Sequence, residues 1–472
     1  MILVQVSLAI ITAIAHVIHC SDIKVILVAE VFKHGAAVAY SQLSTDDPVY
    51  DKSAANEALP NGMRQQYVLG KLIYEEYRDL FNEPLNISNI KMTSSSPNFC
   101  IESAQSHLLG MLAEVDSPKV TLGLENADLM YPPISPLMAD VNFTSQYPLV
   151  LKESYFSMLP ITVYGSLRDF LFFPQIDIQC PHVREENDYY YTQFLISNQK
   201  IFADFYLTLE NNGVRSKTYF GKEKWEPILV SNLFKYVETY KATFGTLPSE
   251  FTKELYFECR MIHMIYYLNY YFPNPDGAKV FVTNLMKSVL ESFEKAQKGE
   301  LIYSGFSAQD HTMIALLTAL KVLSPQCYLN YYSKKMFYFS DSQCVKDPEF
   351  SSNIIFELSN STQTATKPSD DTLLVSILYD GKPLQLSYCN MKTYCTLSEF
   401  RRLVRTQLTV RSIEDKCGLG NHIESSYYWI IIGILLLSSA IVMFFTIRDR
   451  CLHLMKIKKK VHEVESVRSS IC

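Results

Sequence analysis

Two short segments carry side chains able to do chemistry. The first, EVFKHGAAVAY (Glu30–Tyr40), sets His34 and Gly35 directly after Lys33. An imidazole there has three roles open to it, as base, nucleophile or structural residue, because its ordinary pKa lies near neutrality. The second, SGFSAQDHTMIALLTAL, places Asp310 where one apolar run ends and a strongly apolar helical pattern begins. A carboxylate at that point can cap the helix, or it can give a proton to a leaving group if a phosphate sits nearby. Position alone does not separate these roles.

The elements that must hold these residues read as α/β. The run IKVILVAEVF is rich in Val and Ile, so it predicts a buried strand with the His-Gly pair at its end, where open α/β sheets bind ligands. LPNGMRQQYVLGKLIYEEYRDLF (Leu59–Phe81) has a turn signal followed by apolar residues at helical spacing, and TSSSPNFCIESAQSHLLGML reads as a polar loop entering a second helix. From about residue 141 to 265 the chain is rich in Tyr and Phe, helical in pattern and poor in strand signals, as expected of a helical insert covering the sheet. Strand patterns return at ELIYSGF (Glu300–Phe306), before a helix over Asp310–Val322, and at NIIFELSN and TLLVSILYDGKPLQL, which alternate like an antiparallel pair. The expected fold is a central, mostly parallel sheet flanked by helices, with the core in 21–140 and 266–420 and the insert in 141–265.

Composition and chain ends restrict the setting. A chain of 472 residues with 48% hydrophobic content supports a large packed core, and a net charge of -6 without a basic stripe excludes nucleic acid as the expected partner. Residues 1–20 form an apolar leader of signal-peptide type. Tyr427–Ile447 is an uncharged apolar run followed by Arg448, Arg450 and the basic stretch KIKKK; this predicts a single membrane span with 448–472 as a basic cytosolic tail. The cysteines between leader and span are Cys100, Cys180, Cys259, Cys327, Cys344, Cys389, Cys395 and Cys417, an even set suited to disulfides in an oxidising compartment. Cys389 and Cys395 are close enough in sequence to close one short loop. No CxxC pair suggests zinc, and no metal or cofactor is expected. Asn86, Asn142 and Asn360 head glycosylation sequons that become relevant if this region is luminal.

Four segments taken in order resemble the histidine acid phosphatases, whose familiar members include secreted and membrane-anchored forms. VFKHGAAVAY is similar to the family's R-H-G-x-R-x-P motif, and LPNGMRQQYVLGK to its L-T-x-x-G-x-x-Q-x-x-L-G helix. FSAQDHTMIALL is similar to S-A-H-D-T-T, and LYDGKPLQLSYCNMKTYCTLSEF to the C-terminal strand and cysteine loop; together the resemblance spans roughly residues 24–405. It implies a histidine that attacks phosphorus, arginines and a second histidine that hold the phosphoryl oxygens, and an aspartate that protonates the departing alcohol.

Carried over residue by residue, the resemblance makes His34 the nucleophile and Asp310 the proton donor. The remaining positions depart from the pattern. Lys33 replaces the first arginine, Ala37 the second, and Ala39 the motif proline; Thr93 falls where a third arginine is expected, and Gln309 where the second histidine is expected. Lys33 and Gln309 are then weak phosphate-binding positions, while Ala37 and Thr93 are degenerate clamp positions. Charged hydrogen bonds to phosphate are worth roughly 1.5–3 kcal/mol each, so these losses remove on the order of 5 kcal/mol or more, at least three to four decades of rate. Two substitutes suggest themselves. Lys91 lies two residues before Thr93 on the same strand face, and His311 follows Asp310, but one helical step turns His311 by about 100°.

The expectation is therefore a single-pass type I membrane protein of the secretory pathway, in a lysosome-like organelle or at the cell surface. Its luminal ectodomain either binds a phosphate ester or other small ligand without efficient turnover, or acts as a phosphatase through a phosphohistidine. A homodimer is compatible with the sequence.

Overall fold

Strand β1 (Ile23–Lys33) is buried on both faces, which is why its sequence is almost continuously apolar rather than alternating. In this computed structural model, residues 23–38, 56–81, 85–112, 159–164, 171–172, 180–336, 344–361, 369–418 and 422–468 are described. The leader segment 1–20 and the sequon at Asn142 lie outside them. The chain divides into two units, Met1–Lys416 and Cys417–Cys472.

In the first unit, β1 pairs in parallel with β4 (Tyr303–Ala308) and antiparallel with β5 (Asn353–Ser361). Beyond β4 lie β2 (Ile90–Ser94) and β3 (Ile161–Val163), both parallel to it in direction. Beyond β5 come β6 (Leu373–Tyr379) and β7 (Lys382–Pro383), while β8 (Tyr394–Thr396) also pairs with β6. The sheet is therefore mixed: a parallel half built from β1 to β4, and an antiparallel half that includes the β5–β6 pair expected from the alternation. Asp380 and Gly381, both at positive φ, turn the chain from β6 into β7.

Helices cover both faces of this sheet. On one side, α1 (Pro60–Glu76) and α2 (Asn98–Leu112) pack over Val28, Phe32, Met92 and Tyr303. On the other, a larger core joins Leu27, Ala29 and Val31 to α3 (Pro181–Asn211), α4 (Pro227–Phe244), α5 (Lys253–Tyr271), α6 (Pro275–Gln297) and α7 (Asp310–Ala319). Asn274 caps α6, which opens on Pro275, and Thr252 caps α5, each through a side-chain hydrogen bond. Helices α8 (Pro325–Ser333) and α9 (Leu397–Leu403) follow, the latter opened by a capping box between Thr396 and Glu399.

Cys389 and Cys395 are joined, with Cα atoms 5.4 Å apart, and Cys327 is joined to Cys344 at 5.8 Å. The even set of eight does not pair throughout. Cys259 is a buried thiol on α5, and the Cys100 thiol donates weakly to the Ala308 carbonyl at 3.6 Å. Both belong to the packed core, where cysteine behaves as a small apolar residue.

The second unit is dominated by α10 (His422–Arg468), in which Ile431–Lys456 is long and apolar enough to cross a membrane. At 1.5 Å per residue the whole helix runs roughly 70 Å, more than twice a ~30 Å hydrocarbon core. The basic stretch expected as a tail is thus a helical continuation through Arg468.

Candidate active site

His34 is the first residue after β1, and its backbone N–H donates to the Ala308 carbonyl at the end of β4. The neighbouring chain is fixed just as closely. Gly35 N–H donates to Ser103 Oγ on α2 (3.1 Å) and Ala36 N–H to Gln65 Oε1 on α1 (3.0 Å). Gln66 reaches back to the Lys33 carbonyl at 2.7 Å. Gly35 faces Gly62, and a Cβ on either would collide with the other segment's backbone. The glycines of HG and PNG therefore belong together: they let the start of α1 pass directly over the His34 loop.

The His34 ring is only 8% exposed, held between Phe99 (centroids 4.3 Å apart) and Phe350 (5.9 Å). Its Nδ1 lies 2.7 Å from the Gly35 carbonyl, an acceptor only, so Nδ1 carries the proton and Nε2 keeps the lone pair. Burial lowers its pKa to about 4, against the pull of Asp310 and with the help of Lys33. The ring is thus neutral above about pH 4, with the Nε2 lone pair unprotonated.

Lys33 and Asp310 meet directly. The ammonium sits 2.7 Å from Asp310 Oδ1, 3.2 Å from the Pro348 carbonyl, 4.0 Å from Glu238 Oε2 and 4.7 Å from the Phe350 ring centroid. Burial alone would lower the Lys33 pKa, but Asp310 and Glu238 hold it above its ordinary value. For Asp310, burial pulls upward and is overcome by Lys33 and Lys235, which hold the carboxyl well below the usual carboxylate range. Asp310 is not the helix cap: Gln309 occupies that position, without a side-chain cap bond, and Asp310 is the first residue of α7. Its carboxylate turns to the lysine instead.

The other positions singled out from the sequence have different surroundings. Gln309 donates to Ser95 Oγ at 3.0 Å. Thr93 is fully buried in β2, and Ala37 is buried in an isolated bridge with Ala58. Lys91 is half-buried on β2. The His311 ring lies against Tyr267 and Tyr271, at 5.1 and 5.0 Å, so it faces α5.

Several residues of the site were not found from the sequence. Glu238 and Lys235 enter from α4, and burial raises the Glu238 carboxyl pKa despite Lys33. Arg260 on α5 is 2% exposed; it grips Asp347 (2.8 and 3.1 Å) and Glu349 (2.7 Å), while Tyr328 donates to Asp347 at 2.9 Å. This network fixes the segment bearing Pro348, Phe350 and Ser351, whose N–H donates to the His34 carbonyl at 3.2 Å. A signal for it was present: Arg260 and His263 interrupt the apolar helix run FECRMIHMIYY. Among the described residues, no cluster of side chains suited to a metal ion occurs.

An imidazole at the end of β1 and an aspartate at the start of the helix after β4 occupy the places that the resemblance to the histidine acid phosphatases implies. The comparisons with known proteins bear on the fold. Residues 19–145 match the family model of the histidine phosphatase superfamily (branch 2). The fold resembles that of Hafnia alvei phytase in complex with tartrate (TM-score 0.56, 12% identity, 84% of this chain and 98% of that one). It also resembles the phytase of Citrobacter braakii (TM-score 0.53, 15% identity, 84% and 99%). No curated protein sequence matches the chain. The match to the histidine phosphatase superfamily (branch 2) thus covers the part of the chain that carries β1, His34, α1 and α2.

Proposed function

We propose that this chain is a membrane-anchored member of that family whose ectodomain binds a phosphate ester or another small anion and hydrolyses phosphate monoesters very slowly or not at all. The observation that carries this reading is the Lys33–Asp310 ion pair at 2.7 Å. It engages a motif lysine and the expected proton donor with each other, and the remaining clamp positions, Ala37, Thr93 and Gln309, carry no charge. A transferring phosphoryl group needs cations where its oxygens gather charge. It also needs an acid with a proton to give, and Asp310 is held ionised. Residues 1–20 serve in this reading as a removed leader, 21–140 and 266–420 as the phosphatase-like core, and 141–265 as the insert. The apolar part of α10, 427–447 by sequence, spans the membrane once with 448–472 in the cytosol. Disulfides such as Cys327–Cys344 and Cys389–Cys395 suit a luminal or extracellular ectodomain.

One observation favours the alternative, an active acid phosphatase working through a phosphohistidine. His34 presents Nε2 unprotonated, with Nδ1 held by the Gly35 carbonyl, as a nucleophile requires. The full chain in detergent micelles, given a generic phosphate monoester at acidic and neutral pH, separates the two. Turnover far below 1 per second, unchanged in His34→Ala, is the expected result. His34-dependent turnover of about 1–1,000 per second establishes the alternative.

A further inference from the structure

The site contains a cation that neither the family motifs nor the sequence reading assigned. On α4, Ser231, Lys235 and Glu238 fall at i, i+4 and i+7 and so share one helix face. The two flanking members of this stripe are already engaged: Ser231 Oγ lies 2.9 Å from His263 Nδ1, and Glu238 reaches toward Lys33 at 4.0 Å. Between them, the Lys235 ammonium lies 5.8 Å from the Tyr267 ring centroid, and that ring lies 5.1 Å from His311, the residue after Asp310. Lys235 thus stands on the insert side of the His34–Asp310 site. Its charge is felt there: it lowers the pKa of Asp310, His34, His263 and His311.

Lys33 and Lys235 differ in what they have left to offer. Lys33 is 2% exposed and already meets Asp310, Glu238 and the Pro348 carbonyl. Lys235 is half-buried and, among the described residues, has an aromatic ring but no carboxylate as an ion-pair partner. An ammonium over an aromatic face keeps its hydrogen-bond donors available to an incoming acceptor.

We infer that Lys235, from the helical insert, is the residue that holds the oxyanion of a small phosphate- or carboxylate-bearing ligand in this site, in place of the missing arginine clamp. The inference rests on the proposed ligand-binding reading. A single ammonium is a point charge and cannot grip two phosphoryl oxygens in the fixed plane that an arginine fork provides. Such a site favours binding over stabilisation of an in-line transfer.

The test is calorimetric titration of the full chain in detergent micelles with inorganic phosphate and, separately, acetate. Binding of phosphate assigns the phosphate class, and binding of acetate alone assigns the carboxylate class. In either case Lys235→Gln is expected to weaken affinity about tenfold or more, Lys235→Arg to retain it, and Lys241→Gln, an exposed cation on the same helix, to leave it unchanged. Retention by Lys235→Arg shows that the loss in Lys235→Gln is not a folding defect. Absence of binding by both anions, or equal binding by wild type and Lys235→Gln, overturns the inference. Ester hydrolysis by the same samples is read independently: His34-dependent turnover overturns the slow-turnover reading whatever Lys235 does.

Discussion

Replacing Lys33 with methionine is the sharpest test of how the site is held. The substitution keeps the side chain's length and apolar stem and removes only the ammonium that lies 2.7 Å from Asp310 and 4.0 Å from Glu238. Asp310 is then left in a largely desolvated site with Lys235, among the described residues, as a nearby cation. Breaking a buried ion pair by removing one partner costs about 3–5 kcal/mol, mostly through the stranded charge. For a body of roughly 390 residues the unfolding entropy is about 0.8 kcal/mol/K, so the expected fall in Tm is about 4–6 °C. Asp310→Asn should cost less, because Lys33 retains Glu238 and the Pro348 carbonyl. The double variant Lys33→Met/Asp310→Asn should recover part of the loss, since it strands no carboxylate at position 310. Thermal unfolding of the four full-length proteins in one detergent at pH 7 provides the comparison. Two results refute the reasoning: a Lys33→Met protein that melts with the wild type, or a double variant no more stable than Lys33→Met.

Three further expectations follow from the same geometry. Because burial lowers the His34 pKa from 6.5 to about 4, the unfolded chain takes up a proton below pH 6.5 that the folded chain refuses. Stability should therefore fall by about 3 kcal/mol between pH 6.5 and 4 on account of this residue; melting curves across that window should be flatter for His34→Gln, and an unchanged slope would count against the assignment. Arg260→Ala should strand Asp347 at a cost of about 3–5 kcal/mol and release the Phe350 segment, read as faster amide exchange at Ser351, whose N–H bonds the His34 carbonyl; unchanged exchange would mean that Arg260 does not hold that segment. Asn86 is exposed, capping a 3-10 turn, whereas Asn360 is half-buried in β5 between β1 and β6. In secreted material Asn86→Gln should lose the mass of a glycan and Asn360→Gln should not, and a glycan on Asn360 would contradict the strand's placement.

How far the sequence discloses this molecule depends on whether a feature is local. β1 is apparent from ten consecutive residues, His34 from its place at the end of them, and Asp310 from the junction of a strand with an apolar helix. The Cys389–Cys395 loop is short enough to suggest its own closure, and β5 and β6 announce their antiparallel pairing through alternation. What stayed hidden is what three dimensions bring together across long separations. Lys33 meets Asp310 across 277 positions (310 − 33), and no spacing rule links them; read alone, Lys33 is an impaired arginine and Asp310 a cap or an acid. Lys235 and Glu238 resemble the solvent face of any amphipathic helix, because the same polar residues serve whether a helix faces water or a polar site.

The lysine at position 33 also explains why the remaining parts of the site close on one another. A guanidinium buried at that point has five donors to satisfy, which favours a ligand with several acceptor oxygens. The smaller ammonium is satisfied from within the protein by one carboxylate, one backbone carbonyl and an aromatic face. Ala37 and Thr93 bring no charge, and among the described residues Lys33 is the cation in direct contact with Asp310, so the pair is the arrangement seen. A phosphate ester entering the site must then either break a buried ion pair or bind beside it. On the reading proposed above, the second course leaves Asp310 paired to Lys33 and makes Lys235, among the described residues, the cation that an entering oxyanion would meet.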